Sequence, residues 1–240
     1  DKALAIQDDD PNLWKNRGVP LLKLERYEEA LHSFDKALAI QDDDPNLWKN
    51  RGAALGNLER HEEALHSFNK ALAIQDDDPD LWSNRGEVLT KLHRYKDGLI
   101  SIDKALRIKL NESNFFSYKG LILSLLGDYD EALNNLKEAL KLEPKEPLWW
   151  ANNGIILGRA GRYQEALENC NKALELNPQD ESGYYAKACF YALQGVVNLA
   201  LENLQQAINI NALRCRREAK YNPDFDSIRN DERFQKLLIG

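Results

Sequence analysis

The chain has 240 residues, of which 43% are hydrophobic, and a net charge of −7 at pH 7. This acidic balance argues against nucleic acid or an anionic membrane surface as the main partner, because both are bound through clustered basic side chains. No apolar run reaches the roughly 18 residues that a membrane-spanning helix needs, and we therefore predict no membrane span.

The sequence repeats itself with a period of 34 residues, starting at its first residue. The stretch 1–18 recurs letter for letter at 35–52, and 69–86 differs from it by three substitutions. Such a period predicts stacked helical repeats. Three of the resulting columns are Trp14, Trp48, Trp82, Phe116, Trp150 and Tyr184; Gly18, Gly52, Gly86, Gly120, Gly154 and Ala188; and Ala30, Ala64, Gly98, Ala132, Ala166 and Ala200.

The spacing within one repeat predicts two helices. Trp14, Gly18 and Leu21 lie on one face of a first helix, and 30–37 shows the same spacing on a second. Only the short segment 24–26 separates them, which favours an antiparallel hairpin. We expect the aromatic column to point into the core and the small residues to mark close helix contacts.

These columns resemble the tetratricopeptide repeat (TPR) family, whose pattern is W-x3-G-x2-[LY] followed by Y, A, F and A. The resemblance covers about 11–214. The amino-acid sequence of the repeats is most similar to that of bacterial, especially cyanobacterial, members. It implies an all-α fold, an α-solenoid in which antiparallel helix pairs form a right-handed superhelix.

The period also sets the domain organisation that we predict. Residues 1–10 are interpreted as the truncated second helix of a preceding repeat, whose uncovered apolar side predicts a homodimer through this end. Residues 215–240 are predicted to form C-terminal capping helices. Between them lie six predicted repeats, at 11–44, 45–78, 79–112, 113–146, 147–180 and 181–214.

The motif Asp-Asp-Asp-Pro recurs at 8–11, 42–45 and 76–79. One interpretation is a cation site, and the other is a helix start with the last aspartate as N-cap and proline at the first helical position. The helix start is favoured, because the motif lacks the loop pattern of a calcium-binding EF-hand. We predict no metal site and no cofactor.

No catalytic arrangement is recognisable in the sequence. The four histidines form no H-E-x-x-H motif and no Cys/His cluster, and a nucleophile elbow or phosphate-binding glycine loop is lacking. We therefore predict that the protein is not an enzyme. The cysteines Cys170, Cys189 and Cys215 lack paired spacing, which indicates a reducing compartment and predicts a cytoplasmic location.

An asparagine recurs two residues after the aromatic column, although asparagine is a poor residue for a helix interior. Its amide donates and accepts like a peptide backbone, and similar ladders occur in peptide-binding TPR superhelices, whose first helices line the concave face. The alternative is that these asparagines hydrogen-bond a neighbouring repeat, or that they recur only because the repeats arose by duplication. The predicted peptide-binding residues are Asn12, Lys15, Asn16, Asn46, Lys49, Asn50, Ser83, Asn84, Tyr118, Asn152 and Tyr185.

The chaperone-binding TPR proteins use a carboxylate clamp, which this sequence matches only in part. The clamp needs lysine at the positions of Lys15 and Lys49, but it also needs asparagine or arginine where Val19 and Ala53 stand. Chaperone C-termini are therefore not the expected ligand.

The predicted function is a scaffold that binds a protein or an extended peptide. Lys15 and Lys49 are expected to favour an acidic ligand residue, and Tyr118 and Tyr185 to offer stacking. Two alternatives remain open, a self-associating structural module and the regulatory TPR arm of a larger protein.

Overall fold

The computed structural model describes residues 10–239, which form fourteen α-helices, one 3₁₀ helix and no strand. The half-repeat and homodimer contact predicted over 1–10 lie outside the described residues, apart from Asp10. The helices are α1 (Pro11–Lys23), α2 (Tyr27–Ile40), α3 (Pro45–Asn57), α4 (His61–Ile74), α5 (Pro79–Lys91), α6 (Tyr95–Ile108), α7 (Ser113–Leu125), α8 (Tyr129–Leu142), α9 (Pro147–Arg159), α10 (Tyr163–Leu176), α11 (Glu181–Leu193), α12 (Val197–Ile210), α13 (Ala212–Tyr221), the 3₁₀ helix (Pro223–Ile228) and α14 (Glu232–Ile239).

The chain divides into two compact units, Asp1–Leu110 and Asn111–Gly240, which we call unit 1 and unit 2. The described part of unit 1 consists of the helix pairs α1/α2, α3/α4 and α5/α6, and within each pair the two helices pack together. Unit 2 contains the pairs α7/α8, α9/α10 and α11/α12, followed by α13, the 3₁₀ helix and α14. The first and second helices of each repeat thus follow the predicted 34-residue period.

Aspartate N-caps begin the first helices of unit 1. Asp10, Asp44 and Asp78 each accept a hydrogen bond from the backbone N–H two residues later, at 2.9, 2.8 and 2.9 Å. Each is followed by a proline at the helix start, where the missing proline N–H costs no helical bond. The helix-start interpretation of the Asp-Asp-Asp-Pro motif is confirmed.

In each of the first five helix pairs, a glycine of the first helix faces a buried side chain of the second. A Cβ added to Gly52 would lie 2.6 Å from the Phe68 ring, and one added to Gly154 would lie 2.6 Å from Cys170 Sγ. Phe68 and Cys170 are buried. The glycines therefore set how closely the first helix approaches the second.

The aromatic column lies partly outside the core, contrary to the expectation that it points inward. Trp48 and Trp82 are half-buried, whereas the preceding residues, Leu47 and Leu81, are each 1% exposed. The indole N–H groups of Trp48 and Trp82 donate to the backbone carbonyls of Asp42 and Asp76, both at 2.7 Å. These tryptophans thus hold the loop that leads into their own helix.

The end of the chain packs into the core of unit 2. Phe225 in the 3₁₀ helix and Phe234 in α14 are fully buried, with ring centroids 5.3 Å apart. Both belong to one apolar cluster that includes Leu204 of α12. The C-terminal segment is thus buried against the last repeat.

The glycine contact predicts opposite effects for two substitutions in α3. Gly52→Ala should destabilise the protein by about 1–3 kcal/mol, because the methyl group meets the buried Phe68 ring. Gly56→Ala should stabilise it by up to about 1 kcal/mol, because no atom lies within 4 Å of the added Cβ and alanine favours helix. Chemical denaturation measures both, and equal effects would contradict the contact.

Candidate functional site

The predicted asparagine ladder lies on the surface of unit 1. Asn16 is exposed, and Asn50 and Asn84 are partly exposed, each on the first helix of its repeat. Their side chains form no hydrogen bond with another described residue. Asn12 and Asn46, one turn earlier on α1 and α3, are also exposed. The amides on this side of unit 1, which we call the ladder face, are available to a ligand.

The two lysines beside the ladder are already paired. Lys15 Nζ lies 2.7 Å from Asp44 Oδ2, and Lys49 Nζ lies 2.7 Å from Asp78 Oδ2. Both aspartates also cap the first helix of the following repeat. The expectation that these lysines await an acidic ligand residue is therefore corrected, because each one links two consecutive repeats.

These ion pairs change the acidity of the capping carboxylates. Burial alone raises the pKa of Asp44 and Asp78, but hydrogen bonds from the lysine and from backbone N–H groups outweigh it. The pKa of both carboxyls consequently lies below the ordinary value of 3.8. The ionised form is favoured in the folded protein.

Two predicted ligand-binding residues are used inside the protein instead. Asn152 is buried, and its Nδ2 donates to Ser117 Oγ at 2.8 Å, which joins α9 to α7. Tyr185 accepts a hydrogen bond from Asn222 Nδ2 at 3.2 Å and packs edge-on against Phe225. In this structure both side chains contact residues of the protein itself, so neither joins the exposed asparagines of unit 1.

The two remaining predicted residues, Ser83 and Tyr118, are partly buried. Ser83 is partly buried on α5, where it stands at the repeat position of the paired lysines. Tyr118 is partly buried on α7 and interacts with other residues of the chain. The structure therefore groups the unpaired amides in unit 1 and gives Asn152, Tyr118 and Tyr185 internal roles in unit 2.

Sequence analysis missed an arginine column that links successive second helices. Arg51 on α3 donates to Asp35 Oδ1 on α2 at 2.6 Å and to Ser67 Oγ on α4 at 2.7 Å. Arg85 repeats this pattern with Asn69 and Ser101. The signal was present, because arginine recurs three residues after Trp14, Trp48 and Trp82.

A buried ion pair in unit 2 was also missed. Arg159 Nε lies 2.8 Å from Asp224 Oδ1, Nη2 lies 3.0 Å from Oδ2, and Nη1 donates to Ser124 Oγ at 2.7 Å. The side chains of Arg159 and Asp224 are only 10% and 3% exposed. Burial alone lowers the pKa of Arg159, but the charge of Asp224 outweighs it and raises that pKa.

Two family models match parts of the chain. Both describe the tetratricopeptide repeat, and they cover residues 45–78 and 120–181. The chain is a tetratricopeptide repeat protein. TPR proteins are in general non-enzymatic scaffolds for protein–protein interaction, and this TPR chain has the helix-pair fold of that class.

Several solved structures share the fold of this TPR protein. YrrB, described as a TPR protein with an unusual peptide-binding site, is 26% identical with a TM-score of 0.51, and the match covers 75% of this chain and 92% of YrrB. A TPR protein of Thermus thermophilus is 25% identical with a TM-score of 0.62, over 80% and 99% of the two chains. PilW, a type IV pilus biogenesis factor, is 20% identical with a TM-score of 0.68, over 91% and 97%. No curated protein matches significantly.

Two further observations concern the kind of site this TPR protein presents. Within residues 10–239, His, Cys, Asp and Glu side chains form no group of three or more that could hold a metal ion. None of the helices in that range is both long and apolar enough to cross a membrane.

The lysine–aspartate pairs predict a pH-dependent stability. Asp78→Asn should lower the free energy of unfolding by about 1 kcal/mol near neutral pH, because asparagine still caps the helix but no longer attracts Lys49. The folded-state pKa of Asp78 is lowered, so this contribution is present above the ordinary pKa and is lost as pH falls through the folded value. Denaturation near pH 7 and again below about pH 3 should show the difference shrinking.

Asp180→Asn is the matched control for this measurement. Asp180 caps α11 as Asp78 caps α5, but Ala151 stands where the preceding repeat would carry the lysine. Near neutral pH, Asp180→Asn should therefore lower the free energy of unfolding by less than Asp78→Asn does. Equal losses for Asp78→Asn and Asp180→Asn would show that the lysine contributes nothing.

Proposed function

We propose that this TPR protein is a non-enzymatic scaffold that binds an extended peptide segment along the ladder face of unit 1. Asn16, Asn50 and Asn84 are the principal contacts, and Asn12 and Asn46 flank them. The observation that carries the proposal is that three amides, one on each successive first helix, are accessible and lack a hydrogen-bond partner among the described residues.

The spacing of the ladder suits an extended backbone. Packed helices lie about 8–10 Å apart, and α3 contacts both α1 and α5. An extended chain advances about 3.3 Å per residue, so successive asparagines would meet about every third peptide residue. Each amide both donates and accepts, which matches one peptide N–H and one carbonyl.

The pairing of the two lysines affects which groups of a ligand the ladder face would recognise. Because Lys15 and Lys49 are neutralised by Asp44 and Asp78, recognition rests on the ligand backbone more than on an acidic side chain. The affinity should therefore depend weakly on ligand sequence. YrrB, described as a TPR protein with an unusual peptide-binding site, supports the same class of ligand.

The test replaces Asn50 and Asn84 together by alanine. Each lost hydrogen bond is worth about 0.5–1.5 kcal/mol, so the affinity for a peptide recovered with the intact chain as bait should fall by roughly tenfold or more. Stability should change little, because alanine is the better helix former. Titration calorimetry and thermal denaturation measure the two effects.

Asn171→Ala is the control, because Asn171 is exposed on the second helix α10, away from the ladder. It should leave the affinity unchanged. An unchanged affinity in the Asn50 and Asn84 double variant would remove the ladder from the mechanism. A large loss of thermal stability in that variant would instead show that the asparagines tie one repeat to the next.

A further inference from the structure

The segment that contains the 3₁₀ helix reaches well beyond the end of the repeats. Asp224 bonds Arg159 at the end of α9, in repeat five, and that guanidinium also bonds Ser124 on α7, in repeat four. Asn222 Nδ2 donates to Tyr185 OH at 3.2 Å and Cys189 Sγ at 3.3 Å on α11. The segment therefore bonds side chains of two consecutive first helices, α9 and α11, and is linked to a third, α7, through Arg159.

A cap alone does not account for this reach. Units of a repeat array contact only their neighbours, and a cap needs to cover only the last repeat. Helix α13 packs against α12 directly, and α14 contacts both α12 and α13. The 3₁₀ helix between them instead extends to a residue 65 positions earlier in the chain.

The residues contacted are on the same side of the repeat as the ladder face. Tyr185 stands at the repeat position that Lys15 and Lys49 occupy in unit 1, and Cys189 stands four residues later, one turn along α11. On α11 and at the end of α9, this side of the first helices is therefore covered by the protein's own chain.

The contacts have the chemistry of a specific peptide site. The Asp224 carboxylate receives two parallel bonds from Arg159, an arrangement that selects a carboxylate by geometry as well as charge. Phe225 is fully buried and meets the Tyr185 ring at a centroid distance of 5.8 Å. Removing the carboxylate would leave a nearly buried guanidinium without its counter-charge, which is strongly unfavourable.

We propose that the face of unit 2 formed by Arg159, Tyr185 and Cys189 is a second peptide-binding site, specific for a segment in which a carboxylate is followed by an aromatic side chain. Asn222–Phe225 is the resident ligand of this site. A partner with the same acidic and aromatic pair binds by displacing it. This site is separate from the ladder face of unit 1 and does not rest on the function proposed for that face.

The test measures whether the site accepts the same segment as a separate molecule. The probe is a fluorescent synthetic peptide with the sequence of residues 220–230, titrated into the full chain and followed by anisotropy. Asp224→Ala weakens the resident segment, so the peptide should bind this variant at least about tenfold more tightly than the wild type. A peptide with alanine in place of its first aspartate should lose about that factor on the same variant.

Asp226→Ala is the matched control within the segment. Asp226 is exposed, and among the described residues its carboxylate bonds only the nearby Arg229, so this variant should bind the peptide as weakly as the wild type. The double variant Asn50→Ala and Asn84→Ala should leave peptide binding to this face unchanged, which separates the outcome from that of the ladder face.

Two results would overturn the proposal. One is a folded Asp224→Ala variant that binds the peptide no better than the wild type. The other is binding that does not depend on the first aspartate of the peptide. Circular dichroism establishes folding, and if Asp224→Ala does not fold, Asp224→Asn takes its place with the same expected results, because it keeps the shape and removes the charge.

Discussion

The first five helix pairs of this protein depend on one steric constraint, the meeting of a glycine on the first helix with a buried side chain on the second. Gly52 leaves no room for a methyl group beside the Phe68 ring, and Gly154 stands in the same relation to Cys170. This contact holds two helices close enough for their apolar faces to exclude water, which supplies most of the stability of short helices. The surfaces proposed to bind ligands are the sides of the first helices that this contact leaves outside.

Polar contacts then join each helix pair to the next, one set between first helices and another between second helices. The Lys49–Asp78 pair connects a first helix to the start of the following one, and Arg51 connects two second helices through Asp35 and Ser67. Each contact uses residues that recur every 34 positions. Because the partners lie on consecutive repeats, their geometry fixes the spacing of the ladder asparagines as well as the stability of the stack.

The sequence was sufficient for the features that a single repeat determines. The helix pair, the glycine contact and the aspartate caps follow from spacings of a few residues, and the structure has them where the period puts them. The spacing within one repeat did not determine which of two neighbouring aromatic residues is buried. Trp149 is buried and Trp150 only half-buried, because the angle at which helices pack decides which one turns inward. For a related reason the sequence did not show that Asn152 is buried. Its hydrogen-bond partner, Ser117, lies in the preceding repeat, 35 residues away.

The Arg159–Asp224 pair has a consequence for the order in which the chain is made. The two residues are 65 positions apart, and synthesis proceeds at about 5–20 residues per second, so the arginine leaves the ribosome several seconds before its carboxylate. During that interval the first helices of unit 2 can pack, but their guanidinium has no counter-charge in the nascent chain. Completion of unit 2 is therefore tied to translation of the last part of this sequence.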